Sequence, residues 1–429
     1  MLKRILLIIF LFGFNNFLKS QDVLQLMQYN LLNYGNFTSY CTSSNNNVLL
    51  KNEYFKTIFK HVKPDILTIN EMAESTIYHE SLLTNTLNVD GETDYKRATL
   101  TSTSQGNYLV NMLYYNSRKL TLYKHEAIST TIRATDVYMM YYNAADLSLT
   151  KDTTFLTCIV THLKAGSTSA DATTRATMTS TIVNYIQTRN LRNNYLFMGD
   201  FNIYTSTETA YTNLIKSYNG TYYLYDPIDT PGAWNNNYNF RFVHTQSTRT
   251  IDNGCASSGG LDDRLDFILS SAALMNGTNG MQILPSTYRA LGNDGLHYNT
   301  SIIATPTNTS APTDVVNALY NASDHLPVLV QIKTDQSYLG IEEAESFAQI
   351  KFQNPVHKQM QISILFEQDI AFELQIFDLL GRIQMQLHQS NKSSNHQVTI
   401  DLSDLKSGIY FLRIKTENGK QSVHKFLKN

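Results

Sequence analysis

Polar side chains stand at or beside the ends of hydrophobic runs along much of this 429-residue chain. Carboxylate oxygens are the ligands that a hard divalent cation such as Mg²⁺ prefers, and histidine supplies an acid or base near neutral pH. Together they predict metal-assisted attack of water on a phosphate ester. In chain order the candidates are Asn30 in MQYN, Glu71 in DILTINEM, His162 in CIVTHL, Asp200 and Asn202 in LFMGDFN, Asp266 in RLDFIL, and Asp324 with His325 in SDHLPVLV.

Glu71 and Asn30 are the candidates nearest the start of the chain. Glu71 ends the apolar run DILTIN, where a carboxylate emerging from a buried strand suits Mg²⁺. Asn30 follows LQLMQY and could orient a metal-bound water or a phosphate oxygen. The alternatives are a glutamate that stabilises a helix N-terminus and an asparagine that forms a turn.

The GDFN segment and His162 could hold and stabilise the phosphate. Gly199 permits a tight turn, and a spacing of two in an extended chain would aim Asp200 and Asn202 to one face. His162 could hydrogen-bond a phosphoryl oxygen or, when protonated, stabilise its charge. An Asx turn at Asp200 and a structural histidine at the strand end are the alternatives.

His325 is the candidate general base, because an unperturbed imidazole has a pKa of about 6.5. Such a base needs a carboxylate to fix its tautomer, and Asp266 is available at another strand end. Adjacent residues of an extended chain point apart, so Asp324 cannot orient His325 and is expected to face the metal. Two segments about sixty residues apart should therefore converge.

These motifs in this order resemble the endonuclease/exonuclease/phosphatase superfamily over Asp22 to about Lys333, most specifically in GDFN and SDHLP. The resemblance implies a four-layer α/β/β/α sandwich. It implies Mg²⁺, or Mn²⁺ or Ca²⁺, at Asn30, Glu71 and Asp324. It also implies that His325 and Asp266 activate water while His162, Asp200 and Asn202 bind phosphate. The chain departs from many members by carrying Asn70 where glutamine precedes the glutamate.

Strand-like and helix-like runs alternate through residues 22–333, which predicts an α/β domain. Helical spacing runs from Leu49 to Val62 and stops before Pro64, and a second helix is predicted over 169–188, capped by Ser169 or Asp171. Residues 218–260 and 276–314 are predicted to be long loops that select the substrate. The candidate substrate contacts in them are Arg241, His244, Arg249 and His297.

The C-terminal part differs in character. Residues 334–345 are predicted to be a linker, and 346–429 alternate apolar and polar residues in short runs, as in a small all-β sandwich. IFDLLGR, LSDLKSGIYFLRI and KFLKN resemble the type A sorting domain of the type IX secretion system of Bacteroidetes. That resemblance implies the type IX secretion machinery as a partner; a substrate-binding β-module is the alternative.

Residues 1–20 are predicted to be a signal peptide, with Lys3 and Arg4 before an apolar run too short to span a bilayer. We therefore expect a secreted or cell-surface monomer without an integral membrane segment after cleavage. In that oxidising environment Cys41 and Cys255 could form a disulfide, whereas Cys158 in FLTCIV is expected to be buried.

The charge balance limits the substrate without identifying it. Residues 22–333 contain 21 Lys and Arg and 25 Asp and Glu, a difference of −4, so long-range charge does not attract nucleic acid. The functional prediction is a metal-dependent phosphodiesterase that hydrolyses extracellular nucleic acid. A sphingomyelinase-like phospholipid esterase, a sugar-phosphate esterase and a non-catalytic surface adhesin are the alternatives.

Overall fold

The computed structural model describes residues 22–100, 109–145, 147, 153–189, 193–215, 217–218, 221–222, 224–335, 348–379, 381–418 and 420–429. Contacts divide the chain into two units, Met1–Leu339 and Gly340–Asn429. The predicted signal peptide (1–20) and positions 336–345 of the predicted linker lie outside the described residues.

The first unit contains two main β-sheets. Its strands are β1 (Asp22–Tyr34), β2 (Ile66–Ala73), β3 (Tyr95–Arg97), β4 (Leu109–Asn116), β5 (Leu120–Ile128), β6 (Thr135–Tyr142), β7 (Phe155–His162), β8 (Tyr195–Asp200), β9 (Ser217–Tyr218), β10 (Thr221–Tyr222), β11 (Asp266–Ser270), β12 (Met281–Ala290) and β13 (Val328–Thr334). In the described residues, the strand order is β12-β13-β1-β2-β4-β3 in the first sheet and β11-β8-β7-β6-β5 in the second. Strands β9 and β10 form a separate ribbon.

Helices cover the outer faces of both sheets. They are α1 (Val48–Val62), α2 (Thr76–Leu82), α3 (Ser169–Thr188), α4 (Thr209–Ile215), α5 (Ala272–Asn276) and α6 (Thr313–Ala322), with a π-turn at Leu83–Leu87 and a 3₁₀ turn at Tyr238–Phe240. Helices α1 and α6 pack together beside the first sheet, and α3 packs with α4 beside the second. The predicted four-layer α/β/β/α sandwich is therefore confirmed.

Burial on both faces explains why the central strands read as nearly continuous apolar runs. Met27 of the first sheet and Met198 and Ile268 of the second lie in one core, each 0% exposed. On the other face of the second sheet, Phe197 and Phe267 pack against Ile182 of α3. The polar strand ends are thus held between two packed layers.

Local sequence explains most helix ends. Asn47 caps α1 by accepting a hydrogen bond from the Leu50 amide, and the helix ends at Lys63, in the left-handed region, before Pro64. The predicted cap of α3 at Ser169 or Asp171 is wrong. Thr168 is the N-cap, and Asp171 returns a hydrogen bond to the Thr168 backbone, so the two residues form a capping box.

The prediction of an unbroken loop over 276–314 is also wrong, because β12 lies within it. Pro285 argues against a strand at this position in the sequence, because proline cannot donate a hydrogen bond to the neighbouring strand of a sheet. The strand tolerates it because β12 is at a sheet edge and its register with β13 shifts between Leu284 and Arg289.

The described residues of the second unit form strands and turns around a separate core. The strands are β14 (Ala348–Phe352), β15 (Gln359–Phe377), β16 (Ile383–Asp401), β17 (Gly408–Thr416) and β18 (Gln421–Lys428). The first half of β15 pairs with β14 and β16, and its second half pairs with β16 and β17. Residues from both halves, including Ile362 and Leu374, share one core, which agrees with the predicted all-β unit.

Candidate active site

Strand pairing brings the predicted polar residues together at one end of both sheets. Strands β1 and β2 are parallel with Asn30 opposite Asn70, and β7 and β8 are parallel with His162 opposite Asp200. Strand β11 runs antiparallel to β8 and places Asp266 opposite Asp200. The polar ends of four strands, together with the start of β11, therefore meet.

Gly199 and Asn70 fix the position of Asp200 between the sheets. A Cβ at Gly199 would overlap the Thr161 carbonyl oxygen, and its φ of +141° also favours glycine. The Asn70 side chain accepts a hydrogen bond from the Asp200 amide (2.8 Å) and donates to the Thr161 carbonyl (3.0 Å). Asn70 thus joins the first sheet to the second directly behind the site.

Asn30, Glu71, Asp200 and His162 form a contiguous polar cluster. Asn30 Nδ2 donates to Glu71 Oε1 (3.1 Å) and to Asp200 Oδ2 (3.0 Å). His162 Nε2 lies 3.4 Å from Asp200 Oδ2 and 3.8 Å from Glu71 Oε1. The Asn33 amide donates to Glu71 Oε2 (3.0 Å), which holds the glutamate against the end of β1.

This cluster has the chemistry of a cation site. One ligand atom each from Glu71, His162 and Asp200 lies within 4.8 Å of the others. Burial, and next the neighbouring carboxylates of Asp266 and Glu71, raise the pKa of Asp200 to about 7. A bound cation would relieve that crowding of negative charge, so the donor set fits a divalent ion.

The two other predicted metal ligands have protein partners. Asn30 Oδ1 accepts the Leu32 amide (2.9 Å), so Asn30 turns its donor nitrogen toward the carboxylates. Asp324 Oδ2 accepts from the Ser257 amide (2.7 Å) and from Gln246 Nε2 (3.3 Å). Asp324 Oδ1 is buried and has no hydrogen-bond partner among the described residues, which leaves a free acceptor at this position.

His325 and Asp266 make the contact that the sequence predicts. His325 Nδ1 donates to Asp266 Oδ2 at 2.7 Å, and the two residues are 3% and 1% exposed. Burial opposes the charged imidazole, but the carboxylates of Asp266 and Asp200 outweigh it and raise the pKa of His325 well above its usual value. His325 Nε2 lies 3.7 Å from Asp200 Oδ2, so the pair faces the cluster.

His162 is electrostatically distinct from His325. Burial, and then the positive charges of Arg133 and His325, hold the pKa of His162 well below its usual value. A neutral His162 can accept or donate a hydrogen bond, but it does not bring a positive charge to a phosphate.

The prediction that Asp200 and Asn202 share one extended face is wrong. Strand β8 ends at Asp200, and Asn202 has a φ of +51° in the left-handed region. Asp200 Oδ1 accepts the Asn202 amide (3.0 Å), which is an Asx turn, while Asn202 Nδ2 donates to the Leu163 carbonyl (3.4 Å). Asp200 therefore uses one oxygen for the turn and presents the other to the cluster.

Three of the four predicted substrate contacts are buried. His244 and His297 are 0% exposed and bond to backbone carbonyls, including those of Trp234 and Ala304. Arg249 is also buried and donates to the Tyr320 carbonyl. The side chains of these three residues contact the protein rather than solvent, and Arg241 is the one of the four that is partly exposed.

Sequence reasoning missed Gln246 and Arg133. Gln246 Nε2 lies 2.7 Å from His325 Nε2, and Arg133 donates to the His162 and Leu163 carbonyls behind the site. Gln246 lies in an irregular segment without a strand-end signal, and Arg133 precedes β6 without a motif. Cys41 and Cys255, whose pairing the sequence left open, form a disulfide, and Cys158 is buried as expected.

Comparison with known proteins identifies the C-terminal segment. Residues 352–429 match the family model of the secretion system C-terminal sorting domain. The resemblance to a type IX sorting domain is thereby confirmed, and the protein is one exported to the cell surface or the extracellular space. A search of curated proteins found no significant match.

None of the described helices is long and apolar enough to cross a membrane.

Several solved structures resemble the chain at low identity. An endonuclease/exonuclease/phosphatase from Beutenbergia cavernae is 11% identical, with coverage of 94% of this chain and 99% of that one and a TM-score of 0.42. A functionally unknown conserved protein from Enterococcus faecalis is 14% identical over 72% and 98% of the two chains, with a TM-score of 0.46. The human Nocturnin catalytic domain is 16% identical over 73% and 97%, with a TM-score of 0.43.

Proposed function

We propose that the first unit is a divalent-metal-dependent phosphoric ester hydrolase whose substrate is extracellular nucleic acid. The observation that carries this proposal is the hydrogen-bonded His325–Asp266 pair facing Asp200 within a buried cluster that also contains Glu71 and His162. A base with an oriented tautomer beside a cation-binding group is what hydrolysis by water requires.

His325 would take the proton of the attacking water at Nε2. In the neutral imidazole, the hydrogen bond from Nδ1 to Asp266 fixes the tautomer that has a lone pair on Nε2, and the carboxylate stabilises the imidazolium that forms. The Gln246 amide nitrogen lies 2.7 Å from Nε2, so the attacking water would have to replace it. Asn30 and neutral His162 would supply hydrogen bonds to the phosphate.

Glu71 and Asp200 would hold the cation, with the free Oδ1 of Asp324 as a further acceptor. A bound Mg²⁺, Mn²⁺ or Ca²⁺ would supply charge neutralisation for the phosphate oxygens. The protein contributes the enclosure, because His162, Asp200 and Asp324 are each less than 5% exposed. Electrostatic interactions are stronger in such a site than in water.

The test is a panel of phosphate esters offered to the full-length chain. Plasmid DNA, RNA, sphingomyelin and a sugar phosphate are incubated with Mg²⁺, Mn²⁺ or Ca²⁺, and then with chelator. We expect cleavage of nucleic acid that stops with chelator. His325→Ala should lose at least about 100-fold in rate. His61→Ala, which changes an exposed histidine of α1, should be unaffected.

Three outcomes would contradict the proposal. If the chain hydrolyses no ester with any of the three cations, it is not the proposed hydrolase. If it releases head group or sugar without cleaving nucleic acid, it is a hydrolase with a different substrate. Equal rates for His325→Ala and the parent chain would show that another residue provides the base.

A further inference from the structure

Aromatic side chains remain exposed on two loops next to the candidate site. Tyr238, Phe242 and Leu296 are 57%, 59% and 63% exposed. Tyr298 contacts Tyr238 edge to face, with ring centroids 5.4 Å apart. We call Tyr238, Arg241, Phe242, Leu296 and Tyr298 the aromatic platform.

Arg241 gives the aromatic platform a positive charge. Its guanidinium lies 4.2 Å from the Tyr238 ring centroid and 4.3 Å from that of Phe242. Arg241 forms no ion pair with the described residues, and its NH1 donates to the Tyr238 carbonyl. The cation is therefore stacked on two rings without being neutralised, and a planar π-system could add to that stack.

Hydrogen bonds to the backbone hold the two loops of the platform together. Asn293 Nδ2 donates to the carbonyls of Arg241 (2.9 Å) and His244 (2.8 Å), which joins the two loops. Phe242 lies where a Cβ of Gly295 would be, so only glycine leaves room for that ring. Ordered rings that stay in water are preorganised for a ligand, because binding need not order them.

Chain connectivity places the platform close to the base. Gln246 is the fourth residue after Phe242, and its side chain contacts His325 at 2.7 Å. The Cα atoms of Phe242 and Gln246 are therefore at most about 14 Å apart. That upper limit corresponds to about four nucleotides at roughly 3.4 Å per stacked base. Between them, Thr245 Oγ1 accepts the Asp266 amide (3.2 Å), which couples this loop to the His325–Asp266 pair.

We propose that the aromatic platform binds unpaired bases of a single-stranded nucleic acid and so directs the enzyme toward single strands. The inference rests on the proposed function and adds the substrate class. Bases of a duplex have their faces covered by neighbouring bases, whereas single strands can stack on aromatic rings and arginine. A lipid surface would call for a cluster of cations, and Arg241 is the platform's single basic residue.

The test measures binding of a fluorescein-labelled 12-mer of thymidylate and of a duplex of equal length. The full-length chain carries His325→Ala to prevent cleavage, and Mg²⁺ is present. Alanine at a stacking residue should weaken single-strand binding by at least about fivefold per ring, so Tyr238→Ala with Phe242→Ala should lose at least about 25-fold. Tryptophan at both positions should retain binding, because it preserves the stacking faces.

Tyr123→Ala is the matched control. Tyr123 is 58% exposed and lies on β5, at the opposite edge of the second sheet from β11. It should bind the oligonucleotide like the parent chain. Unchanged single-strand affinity in the double variant would overturn the platform, as would an equal loss for Tyr123→Ala. If the double variant instead loses binding to phosphatidylglycerol vesicles and keeps its binding to the oligonucleotide, the platform binds a lipid surface and the proposal is overturned.

A small phosphate ester distinguishes an error about base binding by the platform from an error about the proposed hydrolase activity. Bis(p-nitrophenyl) phosphate presents no nucleobase, so the platform variants with His325 intact should hydrolyse it at the parent rate. If the parent chain does not hydrolyse any phosphate ester, the proposed function fails, while the oligonucleotide binding data still decide the platform.

Discussion

Asp266→Asn tests the base more sharply than any other single change. The substitution keeps the side-chain volume but removes the negative charge 2.7 Å from His325 Nδ1, in a place where both residues are nearly inaccessible to solvent. The amide either opposes Nδ1–H with its own donor or offers a neutral acceptor. Both weaken the imidazolium that must form when water is deprotonated.

The expected loss is large because nothing nearby replaces the charge. The next carboxylate is that of Asp200, whose Oδ2 lies 3.7 Å from Nε2. Nε2 is the nitrogen that receives the proton, so Asp200 does not take the place of Asp266 at Nδ1. A comparable replacement in a hydrolase triad lowers turnover by about 10⁴-fold, so we expect kcat/KM to fall by about 10³- to 10⁴-fold. That equals about 4 to 5.5 kcal/mol of transition-state stabilisation.

The assay is cleavage of bis(p-nitrophenyl) phosphate or of a quenched oligonucleotide at pH 7, with thermal unfolding followed in parallel. Asp65→Asn is the matched control, because Asp65 is a buried aspartate whose Oδ2 accepts the Gln25 amide (2.9 Å) and pairs with Lys119 (3.4 Å). It lies immediately before β2, at the other end of that strand from Glu71. It should stay active when folded, whatever its effect on Tm. Retention of more than about a tenth of activity by Asp266→Asn, or an equal loss in Asp65→Asn, would refute the assigned base.

Three further predictions concern stability and architecture. Replacing Cys41 and Cys255 by serine should lower the free energy of unfolding by about 2 to 5 kcal/mol in urea titration, and an unchanged value would show that the disulfide does not constrain the chain. Gly199→Ala should destabilise by about 2 kcal/mol or more and remove activity, because its Cβ overlaps the Thr161 carbonyl. Gly91→Ala shares the strain of a positive φ (+93°) but meets no atom within 4 Å, so it should keep its activity, and an active Gly199→Ala would contradict the packing. Burial lowers the pKa of His244 to about 4, so the unfolded chain binds more protons between about pH 4 and 6.5 and this stability is lost as pH falls through that window. His244→Gln should show a shallower fall in unfolding free energy than the parent chain, and parallel curves would exclude His244 as the cause.

Much of the site could be predicted because each residue stands at the end of an apolar run. Asn30, His162 and Asp200 could be located in this way, since strands that pack side by side end together. The pairing of His325 with Asp266 could be predicted because neighbours such as Asp324 and His325 point apart in an extended chain, and Asp266 was an available carboxylate at another strand end. The sorting domain could be predicted from its alternating pattern and motifs.

Other features depend on tertiary contacts that a local pattern does not encode. Asn202 leaves the extended conformation because Asp200 Oδ1 captures its amide, and Gln246 reaches His325 from an irregular loop. His244 and His297 looked available because polar loops are usually exposed. They are buried because these loops fold back and supply carbonyl acceptors. The same loop conformation leaves the side chains of Tyr238 and Phe242 exposed to solvent.

Hydrolysis in ¹⁸O-labelled water tests the central claim most directly. The full-length chain is incubated with a short oligonucleotide and Mg²⁺ or Mn²⁺ in the labelled solvent, and the products of a single cleavage are weighed by mass spectrometry. Attack of a His325-activated water on phosphorus predicts one ¹⁸O atom in the terminal phosphate of the product and no label in the released hydroxyl. Label in the hydroxyl, or no cleavage with any divalent cation, would contradict the account.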